Sequence, residues 1–117
     1  MIKVFCYWNI HKHTWSIRAM EGPKRGLVIG HSDTVLLSNV VPKVSQAGRE
    51  RVLREKRKNV HAGIVGTLEH TEGEGYFPGL QVTYNPYKYT EFVYRDTESA
   101  YTGSQYAYMD NRRVYTL

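Results

Sequence analysis

The run Val44-Ser-Gln-Ala-Gly-Arg-Glu-Arg-Val-Leu-Arg-Glu-Lys-Arg-Lys-Asn-Val-His-Ala62 decides the fold reading, because it is the one long stretch patterned as a helix. Ser45 is a good N-cap, and Val44 before it can pack back on the first turn. From Arg49 to Lys58 strong helix formers follow one another without proline or glycine. Glu50 with Arg54, and Arg51 with Glu55, are opposite-charge i,i+4 pairs; Arg54 with Lys58 is a like-charge pair at the same spacing and works against them. Basic residues in the last turn suit the negative end of the helix dipole, and Asn59 tolerates the left-handed conformation that closes helices. These signals predict one helix over 44–59.

The same run carries the densest charge in the chain. Arg49, Arg51, Arg54, Lys56, Arg57 and Lys58 are opposed only by Glu50 and Glu55. At about 100° per residue, Val52 and Leu53 share one side with Arg49 and Lys56 between them. Arg51, Arg54 and Lys58 line the other side. A helix lying on a sheet with a basic stripe outward satisfies both faces, the stems of Arg49 and Lys56 covering apolar surface while their heads stay wet.

Around this helix the chain reads as β. Lys3 to Trp8 and Thr14 to Arg18 form two strands about a turn at Asn9–His13. Glu21-Gly-Pro-Lys-Arg-Gly26 is a second turn with Lys24 and Arg25 at its tip. Leu27 to Gly30 and Thr34 to Val41 follow, and Pro42 closes the β region. Beyond the helix, Ala62 to Leu68, Leu80 to Tyr84, Tyr89 to Arg95, Gln105 to Met109 and Arg113 to Leu117 read as strands. Glu69 to Pro78 is an acidic, glycine-rich loop, and Asp96 to Gly103 a polar turn. Trp8-Asn-Ile-His-Lys-His-Thr14 aligns without gaps on Tyr84-Asn-Pro-Tyr-Lys-Tyr-Thr90, a weak internal repeat joining the two ends. The expected fold is α+β in one domain, residues 1–117: antiparallel β units at 1–43 and 60–117 flanking one central basic helix at 44–59.

Composition narrows the function classes. The 117 residues carry a net charge of +5. Residues 1–66 hold twelve Lys/Arg and four Asp/Glu, whereas residues 67–117 hold four and seven. That asymmetry points to an anionic partner for the first half. The single Cys6 excludes an internal disulfide and fits a reducing compartment; in its apolar run it reads as a buried structural thiol. No apolar stretch is long enough to span a bilayer and no signal peptide opens the chain, so a cytoplasmic location without membrane association is expected.

Catalytic signals are sparse. His11 and His13 stand close together, but no second ligand set accompanies them, so neither a metal site nor any cofactor is assigned. Nucleophile elbows, Walker loops and zinc-protease helices are missing. A small nuclease built on His61 with Arg57 and Lys58 would need a second acid–base residue that the sequence does not name. Non-catalytic binding of nucleic acid or of a nucleic-acid-handling complex is the stronger expectation: Arg49, Arg51, Arg54, Lys56, Arg57 and Lys58, extended by His61, Lys24 and Arg25, for phosphates, with Tyr84, Tyr87 and Tyr89 as stacking rings. The alternative is an inhibitor that docks the same cations on an acidic host protein.

The run Val44–Ala62, with Tyr7-Trp-Asn-Ile-His-Lys12 and Tyr84-Asn-Pro-Tyr87 on either side, resembles small uncharacterised accessory proteins of tailed bacteriophages. The resemblance covers most of the chain. It implies a phage setting inside a bacterial cell, where such proteins modify host nucleic-acid machinery or counter defence systems. It assigns no activity and no functional residue.

Overall fold

The computed structural model describes residues 1–73 and 79–117. Four strands precede the helix: β1 (Lys3–Asn9), β2 (Thr14–Ala19), β3 (Val28–Ser32) and β4 (Thr34–Val44). After α1 (Gln46–Glu55) come β5 (Ala62–His70), β6 (Leu80–Thr83), β7 (Val93–Tyr94), β8 (Ser104–Asp110) and β9 (Arg113–Thr116). The fold is α+β, as expected, with the nine strands of the described residues in one antiparallel sheet of order β3-β2-β1-β5-β4-β8-β9-β6-β7. The stretches before and after the helix are interleaved, because β5 inserts between β1 and β4.

One core cluster joins strands from distant places in this order. Cys6 of β1 and Ile17 of β2 share it with Leu37 of β4, Met109 of β8, Val114 of β9 and Val82 of β6. With side chains of β2 and of β6 and β9 in one cluster although those strands lie far apart in the order, the sheet curls over itself. One bond fastens the curl: Trp15 Nε1–H donates to the Asn111 carbonyl, from β2 to the turn between β8 and β9, while the Asn111 N–H to Asp33 carbonyl bond at 3.0 Å extends the ladder between β4 and β8. Cys6 is fully buried, and burial pushes its thiol up to about 12.

The turn chemistry follows the sequence. Asn9 Oδ1 accepts from the N–H groups of His11 and Lys12, both at 3.0 Å, an Asx turn that closes the β1–β2 hairpin. Asn85 repeats the device: its Oδ1 accepts from the Tyr87 N–H at 2.9 Å, and its carbonyl accepts from the N–H groups of Lys88 and Tyr89. The aligned segments 8–14 and 84–90 therefore share one local turn.

Several boundaries differ from the sequence reading. Pro42 does not close the β region but lies within β4. Pairing with β8 ends at Val40, so the strand is an edge on that side from there on, a place where a missing N–H costs nothing. Glu69 and His70 belong to β5 rather than to the acidic loop, and residues 74–78 of that loop lie outside the described residues. Of the strand expected over Tyr89–Arg95, only Val93 and Tyr94 are paired into the sheet. The polar turn over 96–103 contains Tyr101, which is buried with its hydroxyl 2.6 Å from Ser104 Oγ.

Candidate nucleic-acid interface

Helix α1 starts where Ser45 predicts. The Ser45 Oγ accepts from the Gly48 N–H at 3.1 Å, and the helix buries Val52. It ends four residues before Asn59: Lys56 takes the left-handed conformation, φ 57°, and its N–H donates to the Val52 carbonyl at 2.9 Å. Chain geometry explains the early stop. Ala62 pairs with Val44, and the Ser45 N–H donates to the His61 carbonyl at 2.7 Å, so the chain must return to where the helix began. Ten helical residues run out about 15 Å, and the six residues 56–61 can span about 20 Å back. A helix through Asn59 would leave two residues, about 7 Å of chain, to recover about 21 Å.

The early stop redistributes the charge. The helix itself carries Arg49, Arg51 and Arg54 against Glu50 and Glu55. Glu55 takes Arg51 at 3.5 Å and Arg54 at 3.8 Å, both on the exposed surface. Lys56, Arg57 and Lys58 fall on the return segment, all exposed, and none forms an ion pair among the described residues. Arg49 has a different role. Half-buried, its Nε–H points to the carbonyls of Pro86 at 3.0 Å and Tyr89 at 2.9 Å, tying the helix to the loop after β6.

The return segment forms one wall of an open groove of about 910 Å³. A second wall is the end of the β1–β2 hairpin, with Tyr7, Trp8 and His11, and a third is the loop Tyr84–Tyr87. Trp15, Phe92 and Val52 reach it from the core. Lys58 and Arg112 are the charged residues of the lining, and no carboxylate joins them among the described residues. Arg112 lies 5.9 Å from the Trp8 ring centroid, and Lys56 Nζ 6.0 Å from that of Tyr87. Trp8 meets Trp15 edge-on at 5.6 Å.

The structure gathers some predicted residues here and leaves others apart. His61 and Tyr84 meet in the groove wall, His61 Nε2 lying 2.7 Å from Tyr84 Oη, while His61 Nδ1 lies 3.1 Å from both oxygens of Asn59. Burial raises the Tyr84 phenol, with Arg49 acting in the opposite sense. Tyr87 stands 57% exposed on the groove. Tyr89 is outside the groove lining: its hydroxyl donates to Glu98, which also holds Lys88 at 3.1 Å. Bonds from Tyr89 and Lys88 lower the Glu98 carboxyl, and Glu98 in turn raises Lys88. Lys24 and Arg25 are exposed in the turn after β2, at the end of that strand away from the groove. From Trp15 to the end of β2 at Ala19 is four steps of about 3.3 Å, roughly 13 Å, which separates that turn from Trp15.

Sequence reasoning missed Tyr7, Trp8, Trp15 and Arg112, which come from three separate segments brought together by the curl of the sheet. The signal available was the aligned pair Trp8 and Tyr84, since both line this groove. His11 and His13 are exposed in the β1–β2 turn, and no three His, Cys, Asp or Glu side chains cluster for a metal among the described residues. No helix of the described residues is long and apolar enough to cross a membrane.

Comparisons with known proteins identify relatives without adding a chemistry. No solved structure matches. The Gene 82 protein of Mycobacterium phage L5 is 40% identical over 119 residues, which cover 97% of this chain and 94% of that protein. The family model described as Mycobacterium phage L5 gene 82 protein matches residues 1–117, so the chain belongs to that bacteriophage protein family.

Proposed function

We propose that the protein is a non-catalytic phage accessory protein that binds nucleic acid through its return segment and the groove beside it. One observation carries this reading: among the described residues, Lys56, Arg57 and Lys58 stand exposed without ion-pair partners, next to a groove whose lining holds Lys58 and Arg112 but no carboxylate. Cations so placed exchange small counterions for phosphates, which gives affinity that falls steeply with salt. Arg51 and Arg54 extend the charge along the helix, although each shares Glu55. Arg49 is engaged by backbone carbonyls and serves the architecture. Lys24 and Arg25 contribute to the overall positive field from a distance.

A gel-shift titration against single- and double-stranded DNA and RNA at two salt concentrations tests the proposal. Binding that weakens with salt, and is lost on changing Lys56, Arg57 and Lys58 together to glutamate, supports it. Failure to bind any nucleic acid, with capture of an acidic host protein that survives nuclease treatment, overturns it in favour of protein docking.

A further inference from the structure

We infer that the groove is a site for the unpaired bases of a single strand, a conclusion that rests on the nucleic-acid reading above and narrows it to one ligand class. In a duplex each base has both faces covered by its neighbours, so only an unpaired strand has π-faces to offer an aromatic wall. This groove has such walls on two sides, with Trp8 from the β1–β2 hairpin and Tyr87 from the loop after β6. Both rings are incompletely covered by the protein, Tyr87 being 57% exposed and Trp8 half-buried.

Each ring also has a cation over one face, Arg112 at 5.9 Å from the Trp8 centroid and Lys56 at 6.0 Å from that of Tyr87, so a base would stack on the other face. Base stacking next to a phosphate contact is the pairing that single-strand grooves use. The volume of about 910 Å³ lies at the upper end of small-ligand clefts, roughly 300–1,000 Å³, which suits a short run of bases entering from the open side. The lining has no carboxylate among the described residues to repel the backbone that accompanies those bases.

The two Asx turns give this arrangement its rigidity. Asn9 and Asn85 fix the backbone just after Trp8 and Tyr84, so the aromatic walls are held before a ligand arrives. The Asn9 amide is further fastened by its Nδ2–H to Ser16 Oγ at 3.1 Å. Little ordering is left to the binding step, which favours affinity from stacking alone.

The test is fluorescence anisotropy with labelled deoxyuridylate and uridylate strands of about ten nucleotides, against a duplex of equal length. The wild type, Tyr87→Ala, Trp8→Leu and a Lys56→Glu/Arg57→Glu/Lys58→Glu variant are compared, each checked by near-ultraviolet circular dichroism. Tyr87→Ala is expected to weaken single-strand binding roughly 5- to 150-fold, with duplex binding altered less than about twofold. If Tyr87→Ala and Trp8→Leu both leave single-strand affinity unchanged while the charge-reversed variant loses it, nucleic-acid binding stands and the base site is wrong. If the wild type binds neither strand nor duplex, both proposals fall. The DNA and RNA arms tell which sugar the site accepts.

Discussion

His61 Nε2 lies 2.7 Å from Tyr84 Oη, joining the cationic return segment to the loop that carries Tyr87. The contact is partly buried and the rings meet edge-on at 5.4 Å. Tyr84→Phe keeps the ring packing against Phe92 and removes only the bond. Its expected cost is about 1 kcal/mol, read as a lower midpoint in urea unfolding with an unchanged slope.

Arg49 and its helical neighbours should behave oppositely to what shared charge suggests. Arg49→Ala leaves the carbonyls of Pro86 and Tyr89 without their donor, and a loss of roughly 1–3 kcal/mol is expected. Arg51→Ala and Arg54→Ala break only exposed contacts to Glu55 and should stay within about 0.5 kcal/mol of wild type. Equal effects at all three positions in thermal unfolding would show that Arg49 has no anchoring role.

Gly48 sits in the helix, where alanine is intrinsically better by about 1 kcal/mol. A Cβ there would stand 2.5 Å from His61 Cβ, too close to the main chain of the return segment to be relieved by a rotamer change. The clash outweighs the propensity gain, so Gly48→Ala should destabilise by about 1–2 kcal/mol net. A more stable variant by calorimetry would mean that the helix and the return segment are not held together as described.

Burial holds the Cys6 thiol at about 12, against an ordinary value of 9.0. Above pH 9 the unfolded chain releases this proton while the folded chain keeps it, so stability falls as pH rises from about 9 through about 12. The change is on the order of 4 kcal/mol, at about 1.4 kcal/mol per tenfold difference in proton affinity. Tyr84 and Tyr101, both raised by burial, add to the same alkaline loss. Denaturant unfolding at stepped pH should show this decline, and Cys6→Ala should flatten its first part.

Local chemistry was legible in the sequence where one or two residues decide it. Ser45 capped the helix as expected, Asn9 closed its turn, and the alternation in 14–18 gave β2 within a residue. The length of the helix was not legible, because Glu55 to Lys58 is good helical sequence. It is stopped by the pairing of Val44 with Ala62, a contact between positions far apart in that segment. Pro42 misled for a related reason: proline is excluded from the middle of a sheet, and only the end of β8 pairing at Val40 turns its position into an edge. The basic residues were found, but their division into an anchor at Arg49, a shared pair at Arg51 and Arg54, and charges at 56–58 without ion pairs among the described residues depends on that same early stop. Trp8 and Tyr84 were linked by the aligned segments, but Trp15 and Arg112 could not be joined to them before the curl of the sheet was known.

The central claim is that the charges of Lys56, Arg57 and Lys58 meet phosphates. It is tested most directly by the salt dependence of single-strand affinity in the wild type and in a Lys56→Gln/Arg57→Gln/Lys58→Gln variant. Each phosphate neutralised contributes about 0.7 to the slope of log affinity against log salt for single strands, so the variant's slope should be shallower by about 2, with weaker binding throughout. The same slope and the same affinity in both proteins would contradict it.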